Sequence, residues 1–189
     1  MAHANNKRKE GTRIYDQPLM AAFLEGDHRA FEQLVVLYRH SAVLFALQLT
    51  RDLSAAEDAV QEAFAYLWVH RDRIRVDASI KPLLFTLVRR RCMDWFRYWR
   101  RLSAYDSNAD IADYAPETVY SNERILALYK ALQSLSPPDA RVIHLLDIEG
   151  FSIKEVSAIL GKTQGAVKTA HHRAKHRLKQ QLIKEDAIP

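Results

Sequence analysis

An all-α fold of two small helical domains joined by an acidic linker is predicted from three observations. Only five Gly and six Pro interrupt 189 residues, apolar residues recur at spacings of three and four, and Ser-x-x-Glu capping signals stand directly before apolar runs. No stretch alternates apolar and polar residues as a half-buried strand would. With 48% apolar and 27% charged residues, each half has material for a core, and a disordered chain is excluded.

The first domain is expected over residues 13–101. Between Ala30 and Thr50, the residues Phe31, Leu34, Val35, Tyr38, Ala42, Phe45 and Leu49 form one apolar stripe, the signature of a helix with one buried face. That helix should end near Arg51. Ser54-Ala55-Ala56-Glu57 reads as a capping box opening the next helix, with a core stripe of Ala56, Val60, Phe64 and Leu67 and an acidic outer edge of Glu57, Asp58, Gln61 and Glu62. A third helix is predicted from about Ile80 to Arg101, with Pro82 tolerated in its first turn.

Residues 102–121 carry Asp106, Asp110, Asp113 and Glu117 with no base, and read as the linker. The second domain is expected over 122–184. An amphipathic helix from Asn122 to Leu135 is stopped by Ser136-Pro137-Pro138, a second runs from Asp139 to Glu149, and Gly150 breaks the chain. Ser152-Ile153-Lys154-Glu155 is a further capping box, opening a helix with Ile153, Val156 and Ile159 inward that Gly161 closes. The last helix runs from about Thr163 past Leu182. Phe151 to Arg177 thus has the punctuation of a helix-turn-helix.

Net charge is +5 with a pI near 9.3, but placement says more than the sum. From Lys162 to Lys184 stand seven Lys or Arg and no acid. In the last helix Val167, His171, Ala174 and Leu178 form the packing stripe, which leaves a long cationic face. A recognition helix presents its first turns to base edges and its later residues to phosphates. Gln164, Lys168, Thr169 and His172 are therefore assigned to bases, and Arg173, Lys175 and Arg177 to the backbone. The plain alternative is a solvated basic surface. A metal site at His171, His172 and His176 is disfavoured, because Lys and Arg neighbours repel a cation and no Cys or carboxylate lies nearby in sequence; His171 is read as a buried or half-buried structural histidine.

The other basic segment, Lys81 to Arg101, interleaves Phe85, Trp95, Phe96, Tyr98 and Trp99 with arginines. Rings stack on splayed bases at roughly 1–3 kcal/mol each while guanidiniums neutralise phosphates, so the mixture suits unpaired nucleic acid. Arg89, Arg90, Arg91, Trp95, Arg97, Tyr98, Arg100 and Arg101 are the candidates. The competing reading makes Phe85, Trp95 and Trp99 core and the arginines merely solvated.

Several function classes are excluded. The chain has no P-loop, nucleophile elbow or metal-ligand cluster, so no catalytic residue, cofactor or metal is assigned and an enzyme is not expected. The single Cys92 cannot form an intrachain disulfide, and Met1 to Lys9 lack a signal peptide's apolar run, which together point to the cytosol. The most apolar window, Leu34 to Leu49, is broken by Arg39, His40 and Gln48, so no membrane span is expected.

The run Ala56-Glu57-Asp58-Ala59-Val60-Gln61-Glu62-Ala63-Phe64 resembles the AEDxxQExF core of the extracytoplasmic-function (group IV) RNA polymerase sigma factors of the sigma-70 family. Asp27 to Leu34 resembles the start of their first conserved region, and Ala131 to Pro138 with Glu149 to Gly161 resembles their fourth. The resemblance covers roughly residues 18–183. It implies a non-catalytic subunit that binds core RNA polymerase and directs promoter-specific initiation, in a stress or envelope response, with an anti-sigma factor as a frequent further partner. It also implies that Asp58, Gln61 and Glu62 dock on polymerase. The segment from Pro82 to Arg101 would capture a single strand of the downstream promoter element, and the helix from Thr163 would read the upstream duplex. The chain departs from the family pattern at Leu83 and Arg90, where Trp and Asn are common, and at Ala170 and His171, where Arg and Leu are. A stand-alone helix-turn-helix regulator is the alternative, and the AEDAVQEAF block argues against it.

Overall fold

A computed structural model describes residues 18–75, 79–103, 132 and 135–184. The chain divides into two compact units, one within residues 1–112 and one within 113–189. Among the described residues every regular element is helical.

In the first unit, α1 occupies residues 18–24, α2 His28–Thr50, α3 Leu53–Val69 and α4 Ile80–Ser103, with a 3₁₀ turn at Arg71–Arg73. The short α1 has too few turns to show a period, yet Met20 and Phe23 are buried and Gly26 ends it in the left-handed region at φ +92. Helix α2 starts two residues before the expected Ala30, because the Asp27 carboxylate accepts from the amides of Arg29 at 2.8 Å and Ala30 at 3.3 Å. Arg51, at φ 57, closes it.

The cap of α3 is a correction. Asp52, not Ser54, is the N-cap: its backbone is extended and its carboxylate accepts from the Ala55 amide at 2.7 Å. The left-handed Arg51 turns the chain so tightly that the helix has already begun at Leu53, and Ser54 lies inside the first turn. Glu57, freed from capping, meets Arg39 of α2 at 3.2 Å.

The core forms where three stripes meet: Leu34, Tyr38, Ala42, Phe45 and Leu49 of α2, Ala56, Val60, Phe64 and Leu67 of α3, and Leu84, Phe85, Val88 and Cys92 of α4. The rings of Phe45 and Phe85 lie 5.2 Å apart. Each large apolar side chain so buried contributes about 1.5–3 kcal/mol. By length and composition α2 would suffice to cross a membrane, but its apolar stripe is spent on α3 and α4. Phe23 pins α1 by stacking on Phe31 at 5.5 Å, beside Trp68. Burial pushes the Cys92 thiol up to about 12, so it stays protonated and unreactive.

In the second unit, Leu132 and Leu135 are buried, while most of the helix expected over Asn122–Leu135 lies outside the described residues. Helix α5, Pro137–Ile143, begins on the two prolines, which occupy first-turn positions needing no N–H. The single helix expected from Asp139 to Glu149 is instead α5 followed by a π turn, His144–Ile148. There the Glu149 amide reaches the His144 carbonyl at 2.9 Å, five residues back. Gly150, at φ +72, reverses the chain.

Helix α6, Ile153–Leu160, opens with the expected capping box: the Glu155 amide donates to Ser152 Oγ at 3.2 Å and the Ser152 amide to Glu155 Oε2 at 2.7 Å. Gly161 closes it at φ 62. Helix α7, Gln164–Lys184, follows, capped by Thr163, whose Oγ1 accepts from the Ala166 amide at 3.2 Å. Val167, Ala170 and Ala174 are its buried stripe.

Candidate nucleic-acid and polymerase interfaces

Helix α3 turns its apolar stripe inward and leaves Glu57, Asp58, Gln61 and Glu62 exposed. The same face carries Tyr66 and Val69, the latter 65% exposed. Sequence reading passed over both, although Glu62, Tyr66 and Val69 follow one another at helical spacing. The exposed acidic edge is thus bordered by exposed apolar side chains. Its charges are not all equally available, since Glu57 pairs with Arg39 and Glu62 Oε2 lies 3.4 Å from Arg91 Nε.

On α4 the aromatic and basic residues separate by role. Phe85 is wholly buried, which settles it as core, whereas Trp95 is half-buried and Phe96 and Tyr98 are exposed, Tyr98 at 61%. Arg90, Arg97 and Arg101 are exposed and Arg89 is half-buried; Arg97 meets Asp94 at 2.9 Å. The side chain of Arg100 lies outside those described. Arg91, one of the expected strand-binding residues, turns its guanidinium to α3, against Glu62 and over the Tyr66 ring at 6.0 Å. The opposite charge next to it explains the turn.

On α7 the expected base-reading residues Gln164, Lys168, Thr169 and His172 are all exposed, as are Lys175 and His176. Thr169 donates its hydroxyl to the Gly165 carbonyl at 3.0 Å, so only its oxygen lone pairs remain for a base. The expectation that no acid compensates this helix is corrected by Asp139, 34 residues before Arg173 in sequence. Asp139 is fully buried, and its carboxylate accepts from Arg173 Nη2 at 2.5 Å and Nε at 3.2 Å, and from Arg177 Nη1 at 3.1 Å. The Arg173 hydrogen bonds lower the carboxyl's pKa against the opposing effect of burial, aided by Ser136 and the charges of both arginines. Arg173 and Arg177, expected at the DNA backbone, are thus anchors of the helix, with about half of each side chain still exposed.

His171 is half-buried, as expected of a structural histidine, and its Nε2 lies 2.6 Å from Asp147 Oδ2. His144 is buried with Nε2 3.3 Å from Glu149 Oε1. Among the described residues no group of three or more His, Cys, Asp or Glu is arranged to hold a metal ion.

Comparison with known proteins connects the two units. Residues 34–103 match the family model of Sigma-70 region 2, and residues 125–178 match that of Sigma-70, region 4. The chain is similar to the RNA polymerase sigma factor CarQ of Myxococcus xanthus, 29% identical over 165 residues that cover 86% of this chain and 95% of CarQ. It is similar also to the ECF RNA polymerase sigma factor SigM of Mycobacterium tuberculosis, 30% identical over 167 residues, 86% of this chain and 82% of SigM. Among solved structures it resembles the sigma factor RpoE co-crystallised with the anti-sigma factor NepR from Bartonella quintana, with a TM-score of 0.66 and 29% identity over 82% of this chain and 96% of that one. CnrH in complex with the cytosolic domain of CnrY gives a TM-score of 0.61 and 25% identity over 89% and 97%.

Proposed function

The chain belongs to the extracytoplasmic-function sigma factors of the sigma-70 family, and on that premise we propose how its residues divide the work of promoter recognition. As a sigma factor it binds core RNA polymerase and directs initiation at specific promoters, and it is not an enzyme. In the proposed division the exposed face of α3 docks on polymerase through Asp58, Gln61 and Glu62, with Tyr66 and Val69 adding apolar contact. The outer part of α4 captures the unpaired strand of the downstream element through Arg90, Arg97 and Arg101, with Trp95 and Tyr98 offering rings for stacking. Helix α7 reads the upstream duplex through Gln164, Lys168, Thr169 and His172, and Lys175 meets phosphate.

One observation carries this reading: an exposed acidic and apolar helix face in the first unit and an exposed cationic helix-turn-helix face in the second, each within the matching family region. The work is done where polymerase acts, in the cytoplasm. The RpoE and CnrH structures hold an anti-sigma factor and the cytosolic domain of CnrY respectively, and they support a similar protein partner here, in a stress or envelope response. The test is retention of the full chain on immobilised core polymerase. Replacing Asp58 and Gln61 together should abolish retention with the helical circular dichroism intact; a normal pull-down by the double variant removes the docking assignment.

A further inference from the structure

The recognition helix is gripped on both flanks of its buried stripe. At about 100° per residue, Arg173 and Arg177 lie to one side of Val167, Ala170 and Ala174, and His171 lies to the other. Both gripping acids come from one short stretch of chain: Asp139 from the first turn of α5 and Asp147 from the π turn. Among the described residues the buried stripe is small, one Val and two Ala, so apolar packing alone sets the roll of α7 poorly.

Asp147 lies within the π turn and is exposed. Its carboxylate accepts only, so the imidazole Nε2 carries the shared hydrogen across 2.6 Å. The two side chains are 24% and 37% exposed, His171 being the more buried.

We propose that the Asp147–His171 pair is a positioning device for promoter reading: it fixes the roll of α7 about its stripe, and so the angle at which Gln164, Lys168 and His172 meet base edges. This rests on α7 being the upstream reader. A roll of about 20° moves a side chain at the helix's outer radius of roughly 5–6 Å by about 2 Å, several times the roughly 0.5 Å spread of a good hydrogen bond. A helix free to roll would still bind phosphate but would discriminate bases poorly.

The test assembles holoenzyme from the full chain and core polymerase and offers it promoter duplexes randomised in the upstream block. D147L and H171L should each lower discrimination between the selected block and a scrambled one about tenfold, the worth of one misaligned base contact. D147N, whose amide oxygen still accepts from Nε2–H, should rescue it to within about twofold, and D147L/H171L should do no more harm than either change alone. H171L sets an apolar side chain at the half-buried edge of the stripe, so its melting temperature should hold while its selected sequences change, which a purely structural role would not produce. The proposal is overturned if H171L selects like the wild type, or if the two losses multiply. Wild-type holoenzyme that selects no sequence overturns the function assigned to α7, and this inference with it.

Discussion

The two basic helices α4 and α7 are held by opposite means. Helix α4 buries Leu84, Phe85, Val88 and Cys92 against α2 and α3, and the ion pairs of its Arg91 and Arg97 lie at the surface. Among its described residues helix α7 buries only Val167, Ala170 and Ala174, and it draws on a buried carboxylate that accepts from two arginines. Apolar burial is non-directional and tolerates small rolls, whereas a bidentate ion pair fixes one angle. A helix that stacks splayed bases can be held the first way; one that must register with base edges needs the second.

The largest expected effect tests the apolar side of this contrast. Phe85→Ala should cost about 3–5 kcal/mol, the usual loss for a buried Phe that leaves a cavity. The chain's three Trp, at 68, 95 and 99, all lie in the first unit, so tryptophan fluorescence follows that unit alone. F85A should lower the fluorescence-detected melting temperature strongly. Equal lowering of a separate, fluorescence-silent helical transition would mean that the units do not unfold independently.

Asp139→Ala should follow, at about 2–3 kcal/mol for charged hydrogen bonds lost from a buried site. Here the helical signal should melt earlier while the fluorescence transition stays in place. The pH dependence has a definite sign. The carboxyl is held below its ordinary value in the folded unit, so its stabilising contribution is complete above the unfolded value of about 3.9 and is lost as pH falls through the lower folded value. The wild-type second unit should therefore lose stability on acidification below about pH 4 more steeply than D139N, which has no proton to take up there; parallel acid curves would refute the anchor.

Much of this was legible in sequence because it is local. The Ser152–Glu155 box, the Gly161 closure and the core stripes of α2 and α3 are each set within a few residues, and the exposed face of α3 follows from its stripe. Sequence reading misplaces the cap of α3 by two residues, because Asp52 and Ser54 are both of capping type and the left-handed Arg51 starts the helix at Leu53. Contacts distant in sequence were not legible. Nothing near Arg173 announces Asp139, nothing near Arg91 announces Glu62, and nothing near His171 announces Asp147, which precedes it by 24 residues.

Smaller effects distinguish readers from anchors within α7. Lys168→Ala should change which upstream sequence is preferred. Lys175→Ala should weaken binding to all duplexes alike and reduce the salt slope by about one. Titrating both variants across salt on selected and scrambled duplexes separates the two; identical behaviour would refute the division between base and phosphate contacts.

The smallest effect is expected at the Arg91–Glu62 pair, and it sharpens the comparison most directly because it matches the Arg173–Asp139 contact in chemistry and differs in burial. Glu62 is 62% exposed and Arg91 36%, with 3.4 Å between the charged atoms, whereas Asp139 is fully buried. Water screens the exposed pair, so Glu62→Ala should cost less than about 1 kcal/mol, and that small cost should vanish by roughly 1 M salt, where the Debye length is about 3 Å. Asp139→Ala should keep most of its effect under the same conditions. A loss in E62A as large and as salt-resistant as that in D139A would mean that α4, too, is oriented by charge, and the contrast between the two helices would fail.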